Sequence, residues 1–136
     1  MVKQIEILLP EYPRGFHLIT SVLKKNLPEL PETGMINFFL KHTSAAITVN
    51  ENADPLVRMD FHSFINKMIP DNADIYTHIC EGYDDMSAHI KSSLFGISIN
   101  IPISNHEMNL GTWQGVYLCE FRNNGGQRKI LASIFS

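Results

Sequence analysis

The chain has 136 residues, a formal net charge of -3, 44% hydrophobic and 18% charged side chains, and two cysteines. These figures describe one ordinary globular domain spanning 1–136, long enough to bury about two thirds of the surface its unfolded chain exposes. They argue against a nucleic-acid partner, because no block of basic residues occurs, and against a membrane span, because no apolar run approaches the roughly 18 residues required.

The N-terminus, Met1-Val2-Lys3-Gln4-Ile5-Glu6, lacks the apolar core of a signal peptide, so a cytoplasmic location is expected. Val2 to Leu9 alternates polar and apolar side chains and predicts a strand, broken by Pro10 and by Pro13-Arg14-Gly15. Phe16, Ile19, Val22 or Leu23, and Leu27 fall at helical spacing, which predicts a helix over 16–27 stopped by Pro28. Met35 to Leu40 is almost wholly apolar and predicts a strand buried on both faces. Ala45 to Asn50 favours a second strand. Asp54-Pro55 then fits a helix cap followed by proline in the first turn, with helical periodicity running to Pro70. Ile75 to Cys80 reads as a short strand between two acidic loops, and Met86 to Phe95 as a short helix ended by Gly96. Ile97, Ile99, Ile101 and Ile103 alternate with polar residues and Pro102, predicting a strand that ends at, or lies at an edge near, the proline. Val116 to Phe121 and Lys129 to Phe135 read as two strands of a hairpin turning at Asn123-Asn124-Gly125-Gly126. The fold class expected is α+β, with a mixed or antiparallel sheet, two main helices and a short third. Cys80 and Cys119 show no metal or redox spacing and read as reduced, structural residues.

The stretch from Lys41 to Pro55 carries the densest chemistry. His42, Thr43, Ser44, Asn50, Glu51, Asn52 and Asp54 follow an apolar run, and polar groups at a strand end cost stability unless paired or used. Three of the six histidines stand out: His42 after a strand, His78 beside acidic loops, and His89 on a short helix. No His-x-x-x-His spacing occurs, so a metal site would have to be assembled by the fold. Three neutral imidazoles with an open fourth position suit zinc. The alternative is three unrelated rings bonded to backbone. Glu51, between two asparagines, suits proton transfer or Mg2+ binding. Asp54 has a full explanation as a cap, and Asp60 can be a solvated helix residue. Ser44 follows His42 by two positions and is a candidate nucleophile, but no Gly-x-Ser-x-Gly elbow surrounds it, so Thr43 and Ser44 read better as hydroxyl donors to an anion or to backbone. Lys91 beside Ser92 and Ser93 can meet an anion or lie at the surface. Trp113-Gln114 between glycines can stack on a substrate ring and bond its edge, or form a subunit contact.

Several ordered motifs resemble one family: His42-Thr43-Ser44-Ala45-Ala46, Asn50-Glu51-Asn52-Ala53-Asp54-Pro55, Ser87 to Gly96, Ile101-Pro102-Ile103, and Leu110-Gly111-Thr112-Trp113-Gln114-Gly115. Together they resemble the YjbQ-like family, often labelled secondary thiamine-phosphate synthase enzyme, over nearly the whole chain. The resemblance implies one α+β domain, a compact homotrimer with polar clefts near subunit contacts, and a secondary ability to form thiamine phosphate. It also implies a metal or anion site near His42, Glu51, Asn52, Asp54, His78 and His89, with Trp113 and Gln114 as a second signature. The chain departs from the family where Arg122-Asn123-Asn124-Gly125-Gly126 replaces the usual Asp-Gly-Pro-Arg.

The expected site therefore has His42, His78 and His89 as metal ligands with Glu51, Asp54 and Ser44 in catalysis. Thr43, Asn52, Trp113, Gln114 and Lys91 would bind a small phosphorylated or heteroaromatic ligand. The histidines favour zinc, the family activity Mg2+. That activity also needs cationic donors for a diphosphate, for which Arg14 and Arg58 are the candidates. A zinc-assisted hydrolase and a non-catalytic metabolite-binding trimer are the alternatives.

Overall fold

The computed structural model describes residues 1–136. Its elements in chain order are β1 (Val2–Leu8), β2 (Gly15–Leu18), α1 (Thr20–Asn26), β3 (Thr33–Leu40), β4 (Ala45–Glu51), α2 (Pro55–Met68), α3 (Asp85–Phe95), β5 (Ser98–Ser104), β6 (Glu107–Met108), β7 (Gln114–Glu120) and β8 (Lys129–Phe135). The strands form two antiparallel sheets, a five-stranded one of order β1-β8-β3-β5-β6 and a three-stranded one of order β2-β7-β4. This is a single-domain α+β fold.

Three layers follow from the period-two alternation of the strands. Ile36, Phe38 and Leu40 on β3, Ile101 and Ile103 on β5, and Ile130, Ala132 and Ile134 on β8 point one way. They meet Ala45 and Ile47 of β4 and Val116 and Leu118 of β7 in one apolar cluster between the sheets. The alternate residues of the smaller sheet, Ala46, Tyr117 and Cys119, join Ile65 of α2, Ala88 of α3 and Phe121 in a second cluster. The smaller sheet is therefore buried on both faces, and α2 and α3 form the outer layer over it.

Four expectations are corrected. The strand buried on both faces is not 35–40: Ile36, Phe38 and Leu40 are fully buried, but Met35 and Phe39 are 38% and 41% exposed. Residues 16–18 are strand rather than helix, because pairing with β7 satisfies their backbone and places Phe16 against Phe61, Phe95 and Phe121. Ile75–Cys80 is irregular: it finds no partner strand, and Ile75 and Ile79 remain 87% and 57% exposed. The turn at Asn123–Gly126 closes no hairpin, since β7 and β8 belong to different sheets. A buried ion pair explains the crossing. Arg128 Nε and Nη2 donate to the two oxygens of Glu120 at 2.8 and 2.6 Å, with the side chains 5% and 0% exposed. Gly125 leaves room for that carboxylate, as a Cβ there would lie 2.1 Å from Glu120 Oε1. Of the cysteines, Cys119 is buried and Cys80 exposed, both as free thiols.

Candidate metal and anion site

Asp85 opens α3 and His89 lies one turn later, so both project from one face of the helix. His78, in the irregular loop before α3, reaches the same carboxylate. His78 Nε2 is 2.7 Å and His89 Nε2 3.0 Å from a single oxygen, Asp85 Oδ2. The three ligand atoms all lie within 4.8 Å of one another, and the two rings are 5.4 Å apart between centroids.

The hydrogen-bond chemistry of His89 limits what this group can hold. Its Nδ1 is 2.8 Å from the backbone carbonyl of Thr43, which can only accept, so Nδ1 carries a proton. In the neutral ring, Nε2 is then a lone pair, facing a carboxylate oxygen that is also an acceptor. Two acceptors at 3.0 Å require a proton or a cation between them. A carbonyl holding the far nitrogen of an imidazole is also the usual outer support of a metal-ligating histidine. Burial raises the Asp85 carboxyl, but the bond from His78, the charge and bond of His89 when that ring is protonated, and the charge of Arg122 outweigh it and hold the acid below its ordinary range. Arg122 Nη1 lies 2.5 Å from Asp85 Oδ1, and Arg122 Nε 3.2 Å from Asp84 Oδ2.

His42 is not brought into this group. Its Nε2 accepts the backbone amide of Lys129 at 2.7 Å. The lone pair is thereby occupied, and the proton of the neutral ring sits on Nδ1, leaving no nitrogen for a metal. Burial, then the Arg128 charge, lower its pKa and keep the ring neutral. His42 instead lines a cleft of about 350 Å³ with Thr43, His89, Ser92 and Ser93. Ser44 is buried and its carbonyl accepts from Arg128 Nη2 at 3.3 Å.

Glu51, Asn52, Asp54, Trp113 and Gln114 gather elsewhere. β4 runs without a turn from Ala45 to Glu51, which separates Glu51 from the histidine end by about 20 Å at the ordinary strand rise. Asp54 Oδ1 accepts from Leu56 N at 2.9 Å as the cap of α2. Glu51 Oε2 accepts from Asp54 N at 3.3 Å. Asn52 Nδ2 donates to the carbonyls of Thr112 and Gln114, and Gln114 Oε1 accepts from Gly111 N. Trp113 is 66% exposed. Asp60 is exposed on α2 beside Phe61 and Phe64.

Lys91 faces inward from α3 and is fully buried. It donates to Asn66 Oδ1 at 2.6 Å and lies 5.6 Å from the centroid of the Phe121 ring. Burial lowers its pKa to about 8. Arg14 is engaged by Asp71, at 2.6 and 3.1 Å, and by Asn66.

Sequence reasoning set His78 beside the acidic loop that holds Asp85 without naming Asp85 among the ligands, and it missed Arg122. The signal for Asp85 was Asp-x-x-x-His, which begins one residue before the helix expected from Met86. Arg122 had none, since it reaches Asp85 from a distant loop.

An antiparallel α+β domain with a two-histidine, one-carboxylate group that shares His89 with a small cleft is the class defined so far. The chain belongs to the UPF0047 protein YjbQ-like family, whose profile it matches over residues 4–136. It is similar to UPF0047 protein YjbQ of Salmonella typhimurium, with 50% identity over 133 residues and 96% of each chain covered. It is also similar to UPF0047 protein YjbQ of Escherichia coli O157:H7, with 43% identity and the same coverage. Among solved structures, a YjbQ/UPF0047 family protein of Clostridium acetobutylicum superposes with a TM-score of 0.82 at 39% identity, covering 96% of this chain and 99% of that one. A conserved hypothetical protein of Thermus thermophilus does so with a TM-score of 0.83 at 30% identity, covering 94% and 97%.

Proposed function

We propose that the protein is a small-molecule enzyme that uses a divalent cation, zinc by preference, held by His78, Asp85 and His89. Its substrate is a small oxyanion-bearing compound bound in the adjacent cleft. The observation that carries this reading is the pair of facing acceptors, His89 Nε2 and Asp85 Oδ2, which a bound cation reconciles. Two imidazoles and one carboxylate match zinc chemistry better than Mg2+. When bound, such an ion acts as a Lewis acid on a carbonyl or phosphoryl oxygen. The chain's own contribution is to fix the ligands. Thr43 holds the tautomer of His89, Arg122 keeps Asp85 ionised, and α3 sets the spacing of two of the three donors.

This favours zinc-assisted hydrolysis or transfer over thiamine-phosphate synthesis. The latter calls for Mg2+ and free cationic donors for a diphosphate; Arg14 is engaged by Asp71 and Asn66, which leaves only Arg58 on α2 with an unpartnered nitrogen, and Glu51 and Asp54 lie at the far end of β4. A role for Glu51 at this site would need a neighbouring subunit. A homotrimer is part of the proposal: the outer face of the larger sheet leaves Val2, Met35, Phe39 and Phe135 without a covering helix.

Metal analysis of untagged protein after zinc loading and desalting tests the site. One zinc per chain is expected in the wild type and in Glu51→Gln, with none retained by His89→Ala. A wild type that retains no metal, or a His89→Ala variant that keeps its zinc, defeats the reading. Light scattering at micromolar concentration checks the assembly, and a monomer mass would count against the trimer.

A further inference from the structure

We infer that His42 is a substrate-binding residue that offers a fixed Nδ1 proton to an oxygen of a small oxyanion, such as a phosphoryl or carboxylate group, in the cleft beside the His78–Asp85–His89 group. The inference rests on the functional reading above and assigns the cleft its ligand chemistry.

The His42 ring has one hydrogen-bond partner in the protein. A backbone amide can donate but not accept, so the 2.7 Å contact from Lys129 N makes His42 Nε2 an acceptor. The single proton of the neutral imidazole must then lie on Nδ1. That nitrogen has no hydrogen-bond partner in the protein, and the ring lines the cleft. A fixed, neutral imidazole used as a hydrogen-bond donor to a substrate oxygen is a known catalytic device.

Two backbone groups thereby set two rings for opposite purposes. The amide of Lys129 fixes His42, and the carbonyl of Thr43 fixes His89, each with its proton on Nδ1. His89 turns a lone pair towards the carboxylate group, where a cation is expected. His42 keeps a free N–H, which suits an anion. The rest of the lining agrees: Thr43, Ser92 and Ser93 are among its residues, and no carboxylate lines the cleft. Lys41, Arg128 and Lys129 act on His42 against the single opposing charge of Glu120. A volume of about 350 Å³ lies at the small end of ligand pockets, which suits a metabolite rather than a polymer.

Two variants separate donor from anchor. His42→Gln retains an oxygen that can accept from Lys129 N and deletes the Nδ1 donor. His42→Asn retains a donor near the Nδ1 position and loses the anchor. Inorganic phosphate is the probe, titrated calorimetrically into zinc-loaded protein. His42→Gln should keep its zinc and weaken phosphate binding about tenfold or more, and His42→Asn should recover most of the affinity. Long-range 15N correlation spectra of the wild type should show His42 as the Nδ1–H tautomer, with that proton shifting on phosphate addition. This last measurement stands even if both variants fold poorly. An Nε2–H tautomer, loss of zinc from folded His42→Gln, or unchanged phosphate affinity in that variant would overturn the inference. Absence of zinc from the wild type defeats the metal reading alone. The same titration and spectra on the metal-free protein then decide the role of His42.

Discussion

The two ends of β4 carry similar residue types and use them differently. At the Glu51 end, the polar groups finish backbone. Asp54 caps α2, Asn52 ties down the loop at 112–114, and Gln114 closes its own turn. Almost every such bond lies at the surface and replaces one that water could make. At the histidine end, the carboxylates are buried and bonded to other side chains. Glu120 and Arg128 form a closed pair, while Asp85, 3% exposed, takes two imidazoles and a guanidinium. The Glu51 end thus spends its side chains largely on backbone, beside an exposed Trp113 and a cleft lined by Asn52 and Gln114, whereas the other presents facing acceptors and a free donor. Richness in polar residues did not distinguish them; the burial and mutual orientation of their atoms did.

If the contrast is right, breaking the buried charges should cost far more than breaking the surface bonds. Glu120→Ala strands the Arg128 guanidinium in the interior and should destabilise the fold by about 3–5 kcal/mol in urea unfolding. A loss below about 1 kcal/mol would mean that Arg128 finds water, and would erase the distinction.

A second test uses Lys91, buried in the layer beneath α3 that supports the histidine end. Its folded pKa of about 8 lies below its ordinary 10.5, so over this interval the unfolded chain binds the more protons. Stability should thus rise with pH, as the cost of a buried charge present below about 8 is relieved. The gain from pH 8 to 10 should be about 2–3 kcal/mol relative to Lys91→Met, which lacks it. Burial also raises the Cys119 thiol from 9.0 and the Tyr12 and Tyr76 hydroxyls from 10.0, so their ionisation in the unfolded chain opposes folding from about pH 9 upward, a loss that the comparison with Lys91→Met cancels. Parallel pH profiles for wild type and Lys91→Met would show that the lysine does not titrate in the fold.

The smallest effect belongs to the Glu51 end. Asp54→Ala removes one cap bond and should cost about 1 kcal/mol by thermal unfolding, with zinc content unchanged. A loss of zinc there would show that the two ends communicate and would sharpen the comparison into a coupling.

Much of this was written in the chain itself. The alternation of Ile97 to Ile103, the Asp54-Pro55 cap and the Gly96 stop each encode structure over a few residues, and β5, α2 and α3 appear where those signals put them. The ordered motifs placed the family, and local spacing held Asp85 and His89 one helical turn apart. Other features had no local expression. Residues 16–18 have helical spacing, yet the free edge of β7 was the stronger claim on their backbone. The glycine pair at 125–126 has the composition of a hairpin, but the Glu120–Arg128 pair carries the chain between sheets. His42 and His89 look alike in the sequence. Their roles diverge because one ring meets an amide that can only donate and the other a carbonyl that can only accept, and which backbone atom meets which ring is decided solely by how distant strands pair.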